Sequence, residues 1–513
     1  MIFIYHSNTN IVAVTDSQGE SLSCPVSSTI AEGLRLLAQD FRTEKLVWCH
    51  IDCKKTLNVN ALDTLFHHDK MMLSYCPDNS NYFGETIGYV EESIFVNVNK
   101  KVSFPTWQMS SAVGMIHASV LNEIKDSIPF DAHFDYYLCS LSKLCMPLGL
   151  LCYSEPKLLK KSTSYKGNIA SIGTIFKFVK QHYKIQWIFL LMLNQLLYEK
   201  KFSVFPFFFS LWFQPRKATA INLENIKVQS SKQEFRLETI DVVIPTIGRK
   251  KYLYDVLCDL KRQIHLPVNV IIVEQNPLED SESELDYLKT ETWPFAIKHT
   301  FTHQAGACNA RNLALAQVES NWVFLADDDI RFENDFLVNA FDKIKEQGAK
   351  AISFRCYQKN EVSKWKTIFQ WGSFGSGCSI VYTQTLKNCK FDMGYEFGYG
   401  EDNDFGMQIR NLGEDVLYLP EPSILHLKAP MGGFRTKPVL DWYKDAIQPK
   451  PSPTVMLYQI NHNSKKQVLG YKTILFLKFY FRQKVKNPIL YWRNFGAQWN
   501  QSVFWANQLN QKK

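Results

Sequence analysis

Apolar strands and amphipathic helices alternate from Asp241 onwards, and this alternation constrains the fold more than any other feature of the chain. The strand segments are DVVIPTI (241–247), VNVIIVEQN (268–276) and NWVFLADDD (321–329); the helical ones are YLYDVLCDLKRQ (252–263) and ACNARNLALAQV (307–318). Strands with continuous apolar runs are typical of a largely parallel α/β sheet that helices cover on both faces. Ligands bind such sheets beyond the carboxyl ends of the strands. We therefore look for function where these strands end.

Three consecutive carboxylates, Asp327, Asp328 and Asp329, follow the third strand directly. Adjacent carboxylates repel one another, and a divalent cation relieves that repulsion. Oxygen ligands suit Mg²⁺ or Mn²⁺, which keep open positions for substrate phosphates. The alternative interpretation is a solvated acidic turn or a helix cap.

A second acidic cluster lies in the run FGYGEDNDFGMQIRNLG, residues 397–413. Glycines frame Glu401, Asp402 and Asp404, and the spacing of the apolar residues that follow predicts a helix. The positive end of the helix dipole favours ionised carboxylates there. One cluster is thus suited to a metal and the other to a general base, although simple N-capping is the competing interpretation of the second.

His426 ends a predicted strand in the segment ILHLKAP. A single histidine is more often structural than functional. Beside a metal site it becomes a candidate third ligand, because neutral imidazole binds divalent metals well.

Composition excludes some classes of protein and leaves others open. The 513 residues carry a net charge of +8 without a block of basic residues, so we do not expect nucleic-acid binding. The twelve cysteines are scattered without the spacing of a zinc site, and the N-terminus lacks the pattern of a signal peptide. These features favour a cytoplasmic protein, either soluble or peripheral on the inner face of the cell membrane.

We predict four segments. Residues 1–160 form an α/β domain, residues 161–236 an aromatic-rich helical linker, residues 237–430 the catalytic domain, and residues 431–513 a basic, aromatic helical extension. The apolar runs of residues 185–198 and 202–213 are too short to span a bilayer, which needs about 20 residues. A buried linker and a segment on the membrane surface both remain open for residues 185–213.

The order of these motifs resembles the inverting family-two glycosyltransferases of the GT-A type. The segments that carry the resemblance are DVVIPTIGR, the strand ending in Glu274, GACNARNLAL, FLADDD, GSGCSIVY, GYGEDNDFG and His426. GYGEDNDFG is also similar to the glycine-framed Glu-Asp motif of galactosyl- and N-acetylgalactosaminyl-transferring enzymes. The resemblance covers roughly 190 residues and implies a Rossmann-like, mostly parallel mixed sheet that binds a nucleotide-diphospho-sugar.

The resemblance also implies roles for individual residues. Substrate-binding residues would be Pro245, Thr246, Arg249, Glu274, Arg311, Asn312, Asp327, Asp328, Gly377 and Gly400. Asp327, Asp329 and His426 would bind Mn²⁺ or Mg²⁺. Asp402, with Glu401 beside it, would be the general base. Glu274 departs from the family pattern, in which an aspartate is more usual.

The expected function is transfer of a hexose or N-acetylhexosamine from a donor that we expect to be UDP-linked. The acceptor would be a saccharide or a lipid-linked glycan in polysaccharide or glycoconjugate synthesis. The alternatives are a bifunctional polymerase that uses both domains, or a non-catalytic carbohydrate- or membrane-binding scaffold. A nucleotidyltransferase fits less well, because PTIGRKKYL contains one glycine where a glycine-rich phosphate loop is needed.

The first 160 residues show a weaker form of the same pattern. His50 and Asp52 end a strand as Asp327–Asp329 do, and HFDYYLCSL parallels the Glu-Asp motif. Aligning the SEP and PEP tripeptides places Asp135 at the position of Glu401. About 50 residues precede His50, so we expect this diverged GT-A-like domain to lack part of the nucleotide-binding half. It is expected to be non-catalytic or acceptor-binding. The alternatives are a second active transferase that uses Asp52 and Asp135, or an unrelated α/β domain.

Overall fold

The computed structural model describes residues 1–125, 127–161, 163–232, 238–363, 365–429, 439–483 and 486–511. Two compact units make up the chain. The first unit contains Met1–Lys232 and Asn463–Lys478, and the second contains Gln233–His462 and Phe479–Lys513. The predicted boundaries at 236/237 and 430/431 lie outside the described residues.

An eight-stranded sheet forms the centre of the first unit. Its strands are β1 (Ile2–His6), β2 (Ile11–Thr15), β3 (Ser21–Leu22), β4 (Lys45–His50), β5 (Met71–Tyr75), β6 (Phe104–Pro105), β7 (Val113–His117) and β8 (Leu151–Ser154). Its helices are α1 (Ile30–Asp40), α2 (Leu62–Leu65), α3 (Ala118–Ile124), α4 (Phe134–Cys145), α5 (Ile172–His182), α6 (Gln186–Asn194) and α7 (Val204–Ser210). The strand order is β3-β2-β1-β4-β7-β5-β8-β6.

The second unit is built on a nine-stranded sheet. Its strands are β9 (Ile240–Thr246), β10 (Asn269–Gln275), β11 (Ala296–Thr302), β12 (Trp322–Ala326), β13 (Ile330–Arg331), β14 (Ala351–Tyr357), β15 (Phe369–Gln370), β16 (Cys378–Tyr382) and β17 (Val416–His426). Its helices are α8 (Lys250–Lys261), α9 (Tyr287–Thr290), α10 (Ala307–Leu315), α11 (Phe336–Gln347), α12 (Thr383–Leu386), α13 (Glu401–Asn411) and α14 (Pro453–His462). Two more helices follow, α15 (Lys465–Arg482) and α16 (Pro488–Asn510), and the part of α15 up to Lys478 belongs to the first unit.

The predicted alternation of strands and helices after Asp241 is confirmed. The order in the second sheet is β11-β10-β9-β12-β16-β14-β17-β13, with β15 also paired to β17. Strands β11, β10, β9 and β12 are mutually parallel, whereas β16 runs antiparallel to both of its neighbours. Every residue of β10 is buried, as its apolar run predicts.

The buried carboxylate of Asp241 aligns the amino ends of the three central parallel strands. At the start of β9 it accepts hydrogen bonds from the amide and side chain of Asn269 on β10, at 3.1 and 2.9 Å. It also accepts bonds from the amides of Glu319 and Ser320 at 2.8 and 3.1 Å, and from the Ser320 hydroxyl at 2.7 Å, just before β12. Because the three strands begin at one level, their carboxyl ends meet at one edge of the sheet.

The two sheets share a five-stranded core. The order β1-β4-β7-β5-β8 in the first unit matches β9-β12-β16-β14-β17 in the second, with parallel and antiparallel pairs in the same places. Beyond this core the second unit adds the parallel strands β10 and β11, whereas the first has β2 antiparallel to β1 and β3 antiparallel to β2. The first unit is therefore a reduced relative of the second, as its sequence predicts.

Two further properties bear on the expected location of the protein. No disulfide forms among the described residues, which include all twelve cysteines. No helix in the described part of the chain is both long and apolar enough to cross a bilayer.

Candidate active site

A cleft of about 940 Å³, measured out to its open mouth, lies at the carboxyl edge of the second sheet. It is lined by Pro245, Thr246, Ile247, Arg249, Gln275, Ala305, Gly306, Ala307, Arg311, Asp327, Asp328, Asp329, Phe397, His426, Lys428 and Ala429. Most of these residues lie at or just after the ends of β9, β10, β12 and β17, so the cleft lies where a parallel sheet is expected to bind its ligand.

Asp327, Asp329 and His426 come together as a three-residue cluster at the base of this cleft. One ligand atom from each lies within 4.8 Å of the others. Asp329 Oδ1 is buried without a hydrogen bond, although His426 Nε2 is 3.2 Å away. Two carboxylates and an imidazole are a donor set that suits a divalent cation such as Mn²⁺. These residues fit the metal site that the sequence predicts.

Asp329 and His426 each shift the pKa of the other. Burial opposes ionisation of Asp329, but His426, the Ala429 amide (3.0 Å) and Arg249 together keep the pKa of its carboxyl below the usual value. Asp329 in turn raises the pKa of His426 to about 8. Without a cation, the pair is therefore held together as a carboxylate and an imidazolium near neutral pH.

Asp328 has a different environment from the aspartates on either side. Its carboxylate accepts a hydrogen bond from the Thr246 hydroxyl at 2.6 Å and one from Arg249 at 2.5 Å. Burial raises the pKa of Asp328 to about 6. Both oxygens are used within the protein, so Asp328 holds Thr246 and Arg249 in place at the edge of the cleft.

Gly377 lies against Asp327 with no room for a side chain. The Asp327 amide donates to the Gly377 carbonyl at 3.2 Å, and a Cβ on Gly377 would overlap the Asp327 carboxylate. The glycine thus lets β16 approach the first metal-ligand candidate closely.

Asp402 and Glu401 occupy the first turn of α13, after the left-handed N-cap Gly400. Burial raises the pKa of Asp402, and its Oδ1 is shielded from solvent without a hydrogen bond. Burial, and then the charge of Asp402, raise the pKa of Glu401 to about 7. Asp404 points elsewhere and pairs with His462 at 2.6 Å. Two acidic groups of the predicted trio therefore remain for chemistry.

Arg311 connects the metal cluster with this acidic pair. Its guanidinium donates to Asp327 at 3.3 Å, and Asp327, Asp402 and Glu401 all raise its pKa against the effect of burial. Arg311 Nε is buried without a partner. A cation with an unused N–H, placed between two acidic groups, can bind an anionic or hydroxyl-bearing ligand in the cleft.

Some predicted binding residues are not among the side chains that line the cleft. Glu274 is held by His299 at 3.0 Å and by the Glu284 amide at 3.2 Å, and Gln275 lines the cleft instead. Asn312 exchanges two 2.8 Å hydrogen bonds with the backbone of Phe391. Four further predicted site residues do not line the cleft: Gly377, Gly400, Glu401 and Asp402.

Glu396 is a residue that the sequence interpretation missed. Its carboxylate accepts hydrogen bonds from the amides of Cys308 and Asn309, at 3.1 and 2.8 Å, and so caps the amino end of α10. The Gly306 amide donates to Gln275 Oε1 at 2.6 Å. The amides of Gly306, Cys308 and Asn309 are thus already paired. Lys428 is a second missed residue, a cation that lines the cleft. It lies two residues after His426 in the segment ILHLKAP, so the sequence could have revealed it.

The first unit keeps the aspartate–serine contact of this site but has a histidine in place of the first aspartate of the metal-ligand cluster. The amide of His50 donates to the Ala112 carbonyl at 2.8 Å, as that of Asp327 does to Gly377, so His50 occupies the position of Asp327. Asp135 accepts hydrogen bonds from the Ser111 amide and hydroxyl, and Asp402 interacts with the backbone and side chain of Ser376. Asp135 therefore occupies the position of Asp402. The predicted alignment with Glu401 is wrong by one residue, because the loops between the helix and the SEP and PEP strands differ in length.

Comparison with known proteins agrees with this geometry. Residues 241–398 match the model of the family described as glycosyl transferase family 2. This segment is similar to that family, and the sheet around it has the predicted GT-A type of α/β fold. The family resemblance and the fold class expected from the sequence are thereby confirmed.

Individual relatives match more distantly. Glycosyltransferase GlyG of Streptococcus pneumoniae is 19% identical over 124 residues, which are 24% of this chain and 41% of GlyG. S. aureus TarS is 18% identical, with 48% of this chain and 44% of TarS covered and a TM-score of 0.33. The mannosyltransferase PcManGT of Pyrobaculum calidifontis, solved with GDP-Man and Mn²⁺, is 12% identical, with coverage of 56% and 89% and a TM-score of 0.32. Scores of this size carry no argument about substrate.

Proposed function

We propose that the second unit is a metal-dependent, inverting glycosyltransferase. It moves a hexosyl or N-acetylhexosaminyl group from a nucleotide-diphospho-sugar to a saccharide or lipid-linked acceptor in polysaccharide or glycoconjugate synthesis. The observation that carries the proposal is that Arg311 interacts with both acidic sites, the Asp327–Asp329–His426 cluster and the Glu401–Asp402 pair. A binding protein would have no need for both.

The donor diphosphate is placed beside the metal cluster. Asp327, Asp329 and His426 hold Mn²⁺ or Mg²⁺, which supplies positive charge against the leaving diphosphate. Lys428 and Arg249 also line this part of the cleft and add positive charge. The nucleoside is placed along Pro245, Thr246 and Gln275, at the ends of β9 and β10. A UDP-linked sugar is the first donor to test.

Asp402 acts as the general base in this proposal. Its shielded Oδ1 takes the proton of an acceptor hydroxyl while that oxygen forms a bond to the anomeric carbon. The bond between the anomeric carbon and the phosphate oxygen breaks, and its electron pair leaves with the nucleoside diphosphate. One displacement of this kind inverts the anomeric configuration. The raised pKa of Asp402 makes it a better proton acceptor than an exposed aspartate.

The first unit is proposed to be non-catalytic. The metal-ligand trio has no counterpart among its described residues, and His50 replaces the aspartate at the position of Asp327. The first sheet also lacks the counterparts of β10 and β11, beside which the nucleoside is placed in the second unit. A role in positioning the acceptor is consistent with these losses.

A donor panel tests the proposed activity. The full chain is incubated with Mn²⁺ and UDP-glucose, UDP-galactose, UDP-N-acetylglucosamine, UDP-N-acetylgalactosamine or GDP-mannose, and release of the nucleoside diphosphate is measured. One donor should be consumed, and NMR of the product should show inversion at the anomeric carbon. Saccharide binding without consumption of any donor would favour the scaffold alternative. A product with retained configuration would remove Asp402 from its role.

A further inference from the structure

Helices α6 and α7 of the first unit present a large set of exposed aromatic side chains. We call Phe189, Phe202, Phe205, Phe208, Phe209 and Trp212 the aromatic face. Trp212 is 84% exposed, Phe205 79% and Phe202 66%, and the other three are about half exposed or more. Isolated exposed apolar residues are normal, but a set this dense within 24 residues of chain marks an interaction surface.

Ring contacts connect these side chains. Phe205 and Phe209 stack with their ring centres 6.0 Å apart, one helical turn from each other on α7. Phe189 on α6 contacts the buried Phe207 at 4.8 Å, and Phe207 contacts Phe208 at 5.2 Å. Phe207 thus anchors exposed rings of both helices to the core of the first unit.

The outward side of α6 carries apolar residues and one exposed glutamine, Gln186, where a water-facing helix would be mostly polar. Ile188, Leu191 and Asn194 form its buried side. On the other side Ile185 and Phe189 are exposed, and Lys184, just before the helix, is the nearest charged residue. Water-facing helices normally place charged or polar residues on that side.

Exposed basic side chains flank the aromatic face along the chain. Lys184, Lys200, Lys201 and Lys217 are all exposed. Glu199 is the single acidic residue between positions 184 and 217, and it is paired with Lys466 at 2.8 Å and Lys201 at 3.2 Å. We call these four lysines the basic rim of the face, and their positive charge complements an anionic partner.

We propose that the aromatic face binds the surface of a bilayer that contains anionic lipid. The sequence leaves residues 185–213 open between a buried linker and a membrane-surface segment, and the exposed rings with their basic rim favour the second. Phenylalanine, tryptophan and leucine enter the boundary between headgroups and acyl chains, while lysines contact lipid phosphates. Helices of nine and seven residues lie in that boundary rather than cross it. This inference does not depend on transferase activity.

Vesicle sedimentation tests the proposal with the full chain. Vesicles of phosphatidylcholine alone are compared with vesicles of phosphatidylcholine and phosphatidylglycerol. The protein should sediment with both and bind the anionic vesicles more strongly. The triple variant Phe205→Ser, Phe209→Ser, Trp212→Ser should bind at least about tenfold more weakly, because it loses the inserted apolar surface. The pair Lys184→Gln, Lys200→Gln should lose the preference for anionic vesicles.

Matched controls test whether vesicle binding depends on the aromatic face or on any exposed apolar residue. Val26→Ser and Ile169→Ser alter two other exposed apolar residues of the first unit, 98% and 75% exposed, and should leave vesicle binding unchanged. Thermal unfolding of each variant verifies that it is folded. Failure of the wild-type chain to bind either vesicle would overturn the proposal, as would binding that the triple variant retains. A dimer that the triple variant converts to monomers, without vesicle binding, would assign the face to self-association instead.

Discussion

The carboxylate of Asp135 accepts two hydrogen bonds from Ser111, one from its amide at 2.8 Å and one from its hydroxyl at 2.9 Å. Asp402 also interacts with the backbone and side chain of a serine, Ser376, in the second unit. The aspartate–serine pair joins a helix start to the edge of the sheet in both units, so it belongs to the shared fold. In the proposed mechanism, chemistry at this position also requires the metal-ligand cluster, which the described residues of the first unit lack.

Asp402→Asn should lower kcat by about 10²- to 10⁴-fold, because it removes the proposed proton acceptor. Donor affinity should change little, since Asp402 is outside the residues that line the donor cleft. Calorimetric titration of the donor and steady-state transfer assays separate the two effects. The matched variant Asp135→Asn removes the equivalent carboxylate and should keep full transfer activity. Unchanged turnover in Asp402→Asn would contradict the base assignment.

Asp329→Asn should weaken Mn²⁺ binding by at least about tenfold, because it removes a charged ligand of a three-residue set. Electron paramagnetic resonance of free Mn²⁺ measures binding without an activity assay. Asp52→Asn, near the equivalent site of the first unit, is the matched control and should bind as wild type. Chelation by EDTA should abolish transfer, and added Mn²⁺ should restore it. A chain that remains fully active after chelation would refute the metal requirement.

Gly377→Ala should reduce transfer by at least about tenfold, because its methyl group would overlap the Asp327 carboxylate and displace it. Mn²⁺ affinity should fall in parallel. Gly496→Ala in α16 is the control, since an added Cβ there meets nothing within 4 Å. It should raise the free energy of unfolding by about 0.5–1 kcal/mol through helix propensity. If Gly377→Ala transfers as fast as the wild type, Asp327 can move without loss of activity.

Stability should fall as pH rises through 7, because of Glu401. Its pKa is about 7 in the folded chain and near 4.5 when solvated, so the folded state holds the proton more tightly. The resulting stabilisation is complete below pH 4.5 and is lost as pH rises through 7. The raised pKa values of Asp402 and Asp328 act in the same direction.

Glu401→Gln should flatten this dependence. Urea titrations at pH 5 and pH 8 without metal measure the free energy of unfolding at each pH. The difference between the two values should be smaller in the variant than in the wild type, by an amount on the order of 2 kcal/mol. Glu282→Gln replaces an exposed carboxylate and should leave the pH dependence as in the wild type. Equal pH dependence in wild type and Glu401→Gln would exclude Glu401 as the group responsible.

Local patterns in the sequence were enough to predict much of the second unit. Buried strands have a continuous apolar signature, and parallel strands bring their carboxyl ends to one edge. The meeting of Asp327, Asp329 and His426 therefore followed from two strand ends, those of β12 and β17. The start of α13 at Glu401 followed from the glycines and the apolar spacing after it.

Only the tertiary structure decided which side chains face the cleft. Neighbouring strand residues point to opposite faces, and a pattern does not show which of Glu274 and Gln275 is turned inwards. The capping of α10 by Glu396 joins residues 87 and 88 positions apart, which no local pattern encodes. Likewise, the aromatic run of residues 185–213 suits a core as well as a surface. Its exposure was decided by which stripe of α6 the rest of the first unit covers.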